Sequence, residues 1–524
     1  MAAVNANLAD RLHERAALHP DRAAIVEARG GRVRRVTFSE LDARVTAYAA
    51  AWRARGLGPG DRVLLFVPMS IALYAVLLAT FRVGAVAVFV DAWADRSRLD
   101  AAIERTRPRA FVGVLRAHLL RLASGAMRGI PHAIVVGHGG HGPPQARSDA
   151  AGPAALAPEA PALVTFTTGS TGRPKAAERS HGFLWSQHLA LAEHLKAVES
   201  DIDMPTLPVF VLNNLACGIT SVIPDFDPRR PGDIDPAVIL AQMRAEHVTT
   251  SSGSPAFYAR LAAHCRARGE RLPLRALFTG GAPVLPPLVR ALVPLVEHAY
   301  VVYGSTEAEP ISGIEATDML AALERAPHDG LCVGAPVPTL ECRLARVEDG
   351  AIELGPAGWP AWDTAPGEVG EVLVSGAHVL AGYLDDPAAD RANKVRDGAR
   401  VWHRTGDAAR RDGAGRLWLV GRVSQRVRRS GEVWWPGPVE TFAVSMPGVQ
   451  HAAYVGRPDA AFGQRAVLCV EHALARLEPG IEARLRTGAG APIDDLRVLA
   501  HIPRDPRHAS KTDIDALRRL LGSG

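Results

Sequence analysis

The stretch Val164-Thr-Phe-Thr-Thr-Gly-Ser-Thr-Gly-Arg-Pro-Lys175 constrains this chain more than any other. A short β run, Leu163 to Phe166, breaks into a loop of Thr, Ser and Gly and ends at a lysine. Gly169 and Gly172 let the backbone take conformations closed to other residues and approach a ligand closely. Successive loop N–H groups can converge on an anion. The hydroxyls of Thr167, Thr168, Ser170 and Thr171 add short donors, and Lys175 adds a full positive charge. Such a loop is built to hold a polyphosphate. It is not a Walker A loop, which needs Gly-x4-Gly-Lys-Ser/Thr. Here only Ser170 and Thr171 separate the glycines, Pro174 precedes the lysine and Ala176 follows it, so no hydroxyl is placed there for magnesium.

A chain of 524 residues is too long for one ordinary core, so two or more domains are expected. Leu8 to His19 reads as an amphipathic helix. Thr37-Phe-Ser-Glu40 fits a capping box, followed by Leu41, Val45, Tyr48 and Trp52 at helical spacing and a stop at Gly56. Val63 to Val67 reads as a buried strand, and Phe111 to Leu115 and Ala133 to Val136 as further short strands. Ile71 to Val90 is apolar enough to raise the question of a membrane span. Arg82, Gly84 and the β-like Ala85 to Val90 instead predict a buried helix, a glycine turn and a buried strand, with no integral membrane segment. Residues 137 to 161 read as a Gly/Pro/Ala-rich linker. Gly182 to His194 and Pro236 to Glu246 read as helices, and Pro208 to Val211, Gly218 to Pro224 and Val248 to Ser251 as strands. Strands alternating with helices predict an α/β fold with doubly wound, mostly parallel sheets. From Gly367 the pattern changes to short β segments (Val369 to Ser375, His378 to Tyr383, Trp402 to Arg404, Leu417 to Val420) that suggest a small barrel-like piece. The last hundred or so residues carry strands and a final helix, Thr512 to Leu521, of a small C-terminal α+β domain.

The net charge of +5 comes from arginines interspersed with acids, without a basic block carrying aromatics. Nothing there indicates a nucleic-acid partner. Five scattered cysteines without metal spacing, and no signal-peptide pattern, fit a reduced cytoplasmic protein.

Further segments carry chemistry. Thr279-Gly-Gly-Ala-Pro283 and Tyr303-Gly-Ser-Thr-Glu307 each follow a strand, and ligands in open α/β sheets sit at such carboxyl ends. Glu307 suits Mg²⁺, which takes one or two carboxylates plus phosphate oxygens. Arg404-Thr-Gly-Asp407 with Gly421-Arg422 pairs a carboxylate with an arginine. Lys511, in Pro506-Arg-His-Ala-Ser-Lys-Thr-Asp513, would taken alone be a solvated lysine before a helix.

These segments, in this order, resemble the signatures of the adenylate-forming superfamily of acyl-CoA synthetases, peptide-synthetase adenylation domains and luciferases. The resemblance implies a large N-terminal domain, residues 1–422, and a mobile C-terminal lid, residues 423–524. It implies ATP and Mg²⁺ as cofactors and a small carboxylic acid as substrate. By this likeness the phosphate loop (Thr167 to Gly172 with Lys175), the adenine turn (Gly281, Ala282, Pro283) and Tyr303, Gly304 and Ser305 hold the nucleotide. Thr306 lies near the α-phosphate, Glu307 holds the metal, and Asp407 with Arg422 meets the ribose. Ser424 sits at the family's pivot, where Asp or Lys is usual. Lys511 matches the near-terminal catalytic lysine.

Less common stretches, among them Val222-Ile-Pro-Asp-Phe-Asp-Pro-Arg-Arg-Pro231, Cys332-Val-Gly-Ala-Pro-Val-Pro338, Val401-Trp-His-Arg404 and Arg507-His508, are similar to olefin-pathway β-lactone synthetases. That likeness adds His508 to the catalytic candidates. Pro208-Val-Phe-Val211 puts valine where acyl-CoA synthetases often place His or Trp at the thioester tunnel. Phe210, Val211 and Asn213 are the candidate acyl-site residues, with Asn213 and Asn214 expected to cap a turn. The implied product is a β-lactone. The alternatives are an acyl-CoA or acyl-carrier-protein ligase, with a carrier protein or other pathway enzymes as partners, and an inert adenylate-binding protein.

Overall fold

The computed structural model describes residues 6–90, 95–137, 152–168, 174–227, 230–505 and 511–522. Most of the linker expected over 137–161 lies outside them. The fold is mixed α/β, with a large N-terminal domain and a smaller C-terminal one.

Two sheets dominate. The first runs His132–Val135, Ala110–Gly113, Arg62–Phe66, Val86–Phe89, Pro161–Thr168, Pro174–Ser180, parallel except for the last, antiparallel pair. The second has eight strands, with a parallel centre of Ala276–Gly280, Thr250–Gly253, Ile202–Pro205 and Thr220–Ile223. An antiparallel hairpin closes each end: His298–Ser305 with Ala308–Glu315, and Ala23–Arg29 with Arg32–Thr37. A third, antiparallel sheet of Leu331–Gly334, Leu417–Arg422, Arg400–Arg411, Gly370–Gly376 and Leu340–Ala345 packs beside them.

Local sequence explains much of this. Thr37 caps the helix Phe38–Arg53 by accepting from the Glu40 N–H, and the Glu40 carboxylate accepts from the Thr37 N–H. Ser70 caps the apolar helix Ile71–Arg82, Gly84 turns at φ +77°, and Val86–Phe89 follows as a strand. This helix is buried on nearly every side, and Arg82 inside it pairs with Asp42 and Thr46. No helix among the described residues is long and apolar enough to cross a membrane.

Three expectations need correction. Pro208–Val211 is not a strand but the first turn of a helix, Pro208–Cys217. Proline at the helix start, with extended Leu207 before it, initiates a helix as readily as it bounds a strand. Asn213 and Asn214 therefore cap no turn. They lie inside that helix, where Asn214 Nδ2 donates to Asp203 and Ser221. His378–Tyr383 belongs to no sheet. It is an extended crossing segment with isolated bridges from Val379 to Ala308 and from Tyr383 to Ala177.

The C-terminal domain joins a hairpin, Val427–Arg429 with Glu432–Trp434, to a sheet of His451–Asp459, Gly463–Glu471 and Asp495–Leu499. Its core gathers Val427, Val439, Tyr454, Leu468 and Leu485. Beside it Glu440 accepts the Tyr454 N–H at 2.9 Å, and burial pushes its carboxyl up to about 7. A carboxyl raised on folding binds more protons folded than unfolded, so stability falls as pH climbs from 4.5 to about 7. Glu440→Gln keeps the acceptor and cannot ionise. It is expected to melt above the parent protein near pH 8, with the gap closing towards pH 5. A gap independent of pH in thermal melts would contradict the assignment.

Candidate active site

The strand carrying Lys175 and the hairpin carrying Glu307 belong to different sheets. The crossing segment joins them, and Tyr383 sits at the junction. Its hydroxyl donates to Glu307 Oε1 at 2.9 Å. Lys175 Nζ lies 4.9 Å from the centre of its ring and Lys394 Nζ 5.1 Å. The Leu380 N–H donates to the Glu307 carbonyl at 2.7 Å. Lys175 Nζ also donates to Asn393 Oδ1 at 3.0 Å. Lys394 donates to the Leu380 carbonyl and to His403 Nδ1, the latter at 3.2 Å.

The cluster is buried and its charges are coupled. Burial works to raise the Glu307 carboxyl, but His403, the Tyr383 hydroxyl, Lys394 and Lys175 together hold it below the usual carboxylate range. His403 is itself pushed down to about 3 by burial and by Lys394. Near neutral pH the imidazole is therefore an acceptor, and Tyr383 and the lysines carry the stabilisation of the Glu307 anion. Burial pushes Lys394 down to about 7 and lowers Lys175, with Glu307 opposing both. An ionised carboxylate facing two lysines suits a polyanion that brings a divalent cation with it.

The third sheet supplies the other half. Tyr303 OH donates to Asp407 Oδ2 at 2.7 Å, and Arg422 Nη1 donates to Asp407 Oδ1 at 2.8 Å. Asp407 and Arg422 are direct partners across Arg400–Arg411 and Leu417–Arg422. Gly421 is required there, because a Cβ would stand 2.6 Å from the Pro436 ring. The Thr279–Pro283 turn leaves its strand through Gly280, where a Cβ would stand 2.4 Å from the Val302 carbonyl. Gly281 follows at φ +77°, with Ala282 and Pro283 continuing the turn. The hydroxyls of Thr279 and Ser305 are buried without a hydrogen-bond partner among the described residues. Thr306 and Glu307 form the turn of the hairpin whose strands close on the Ser305–Ala308 pair.

Lys175, Glu307, Tyr303, Asp407 and Arg422 are thus brought together from residues far apart in the chain. Gly169 to Gly172 and His508 lie outside the described residues, as do the side chains of Thr167 and Thr168. Lys511 is exposed on the loop before Ile514–Leu520, its carbonyl accepting from the Asp505 N–H. Ser424 lies in a single 3-10 turn, Val423–Gln425, leading out of the third sheet. Phe210 packs against Ala276, Phe278 and Val302, beneath the strands leading to the two turns, while Val211 is core. Asn213 Oδ1 accepts from His188 Nδ1 at 2.8 Å, and its Nδ2 is buried without a partner among the described residues. The sequence reading missed Tyr383, Asn393 and Lys394. It noted His403 only as part of a subgroup likeness. Only the fold marks them: Tyr383, Lys394 and His403 are buried near Glu307, and Asn393 accepts from Lys175.

The AMP-binding enzyme profile matches residues 12–384. The chain belongs to the AMP-binding enzyme family. Among members of this family, an olefin beta-lactone synthetase of Stenotrophomonas maltophilia is 35% identical over 543 residues, covering 96% of each chain. A feruloyl-CoA synthase of an Amycolatopsis species is 31% identical over 440 residues and 82% of each chain. ATP-bound MatB from Rhodopseudomonas palustris superposes with a TM-score of 0.82 over 99% of each chain at 24% identity, which shows the fold. As a member of the AMP-binding family, the chain is an adenylate-forming ligase.

Proposed function

We propose that this ligase activates a β-hydroxy carboxylic acid as its adenylate and then closes it to a β-lactone. The likeness to an olefin beta-lactone synthetase over nearly the whole chain carries this reading. Valine at position 211 supports it, although Val211 is packed as core. In the first step a carboxylate oxygen attacks the α-phosphorus of ATP and pyrophosphate leaves. In the second, the substrate's own hydroxyl attacks the acyl carbon, AMP leaves with its oxygen, and the hydroxyl proton is released. Tethering nucleophile and electrophile in one molecule removes the need for a thiol.

In this reading Lys175 meets the phosphates, with the Gly169–Gly172 loop around them. Glu307 is the carboxylate suited to magnesium. Among the described residues no group of three acidic, His or Cys side chains could hold a metal unaided, which fits an ion that takes its remaining ligands from phosphate and water. When bound, it would neutralise phosphate charge. Asp407 takes the ribose hydroxyls, ordered by Tyr303 and Arg422. The orphaned Ser305 and Thr279 hydroxyls are donors for nucleotide or acyl phosphate, beside Thr306. The domain after Arg422 turns about Ser424 and brings Lys511 to the reacting groups, with His508 a further catalytic candidate by likeness alone.

Asp407→Ala is expected to weaken ATP binding by roughly 10- to 100-fold, the loss of a hydrogen bond to a charged acceptor. Unchanged affinity by calorimetry would remove Asp407 from the ribose site. The function itself is tested with enzyme, Mg-ATP and a β-hydroxy acid, without thiol. A product lighter than the acid by one water, with AMP, supports the lactone. Strict dependence on CoA or a carrier protein establishes the second reading, a thioester-forming ligase, which the feruloyl-CoA synthase likeness favours. Absence of pyrophosphate release with every acid tried would leave an inert nucleotide-binding protein.

A further inference from the structure

Arg179 lies on the same strand as Lys175, Pro174–Ser180, and alternation along the strand turns both to one face. It is 8% exposed. Its Nη2 donates to the Thr306 carbonyl at 2.9 Å, and its guanidinium lies 5.8 Å from the centre of the Phe183 ring. Its Nε is buried without a hydrogen-bond partner among the described residues. The carboxylates of Glu307 and Glu309 act on it by charge rather than by contact.

Burying a guanidinium against one neutral acceptor is costly, and an apolar side chain of similar size would be cheaper there. Packing stability therefore does not account for it. The place of its one bond does. Among the described residues the turn Thr306–Glu307 is held by Arg179 on the Thr306 carbonyl, Leu380 on the Glu307 carbonyl and Tyr383 on the Glu307 carboxylate. Of these, Arg179 alone comes from the strand of Lys175. It ties the two halves of the phosphate site at a fixed spacing, and a planar, permanently charged donor is suited to that.

We infer that Arg179 is a positioning residue for adenylation: it sets Thr306 and Glu307 relative to Lys175 without touching the substrate. The inference rests on the adenylation reading. A group that positions the turn and leaves the ribose site alone acts mainly on kcat.

Pyrophosphate exchange with the full chain tests it, using Arg179→Met and Arg179→Lys. For the methionine variant kcat should fall at least about tenfold while KM for ATP stays within about threefold, and lysine, which can still donate to Thr306, should recover part of the loss. A methionine variant within about twofold of the parent kcat, a loss borne equally by KM, or lysine no better than methionine would overturn the inference while the parent's exchange leaves the adenylation reading standing. If the methionine variant does not fold by circular dichroism, Arg179→Gln replaces it in the same comparison. A parent protein showing no exchange with any acid would overturn both.

Discussion

Lys511→Ala should lower pyrophosphate release by roughly 100- to 1000-fold while leaving nucleotide affinity close to that of the parent. The size follows from the proposed role. A single cation placed between the attacking carboxylate and the α-phosphate stabilises charge that builds only in the transition state, so its loss appears in rate and not in binding. The selectivity follows from the structure. The nucleotide-binding candidates Lys175, Tyr303, Asp407 and Arg422 lie in the N-terminal domain, and their mutual bonds do not involve Lys511. The substitution should not unfold its own domain, because the side chain is exposed. Single-turnover pyrophosphate release and AMP calorimetry check both halves. Unchanged release would remove Lys511 from the chemistry, and lost AMP binding would make it a nucleotide ligand instead.

The largest loss of stability is expected from Glu371→Ala. Glu371 Oε2 accepts from Arg404 Nε at 3.0 Å and from Nη2 at 2.6 Å, with side-chain exposures of 3% and 7%. Arg404 also donates to the carbonyls of Glu348 and Gly350 in one loop and of Ala392 in the helix Pro387–Asn393, so it pins two segments beside the third sheet at once. Directly after it, Thr405 Oγ1 donates to the Val372 carbonyl and accepts the Asp407 N–H. Removing the carboxylate leaves a buried guanidinium without its counter-charge, which costs about 3–5 kcal/mol. Replacing both partners by apolar residues, Glu371→Leu with Arg404→Met, removes both charges and should recover much of that loss. Differential scanning fluorimetry orders the variants, and a double variant melting below Glu371→Ala would show that the carbonyl bonds of Arg404 matter more than the ion pair.

These two sites differ in how they could be read. Lys511 could be proposed from the sequence because its motif neighbours and their order resemble a family signature. Glu371 was not, because one glutamate in a β run looks solvated until Arg404 is known to reach it from the neighbouring strand. The same contrast runs through the fold. The capping box at Thr37, the apolar helix and strand from Ile71 to Phe89 and the glycine turn between them were legible, because caps and periodicity act within a few residues. Pro208–Val211 was misread because four apolar residues after a proline fit a strand or a helix start equally. His378–Tyr383 has the composition of a strand but spends its backbone bonds on single bridges to two different sheets.

Residue types and their order, through the family resemblance they carry, were enough to propose Lys175, Glu307, Asp407 and Arg422 as the residues that meet phosphate, metal and ribose. Tertiary structure alone decided what makes Glu307 an anion in a buried place. Tyr383 and Lys394 come to it from segments that follow it in the chain, and Lys175 from one that precedes it. Charge and hydrogen bonding act through space at a few ångströms. No local pattern encodes which distant side chains will meet when sheets pack together.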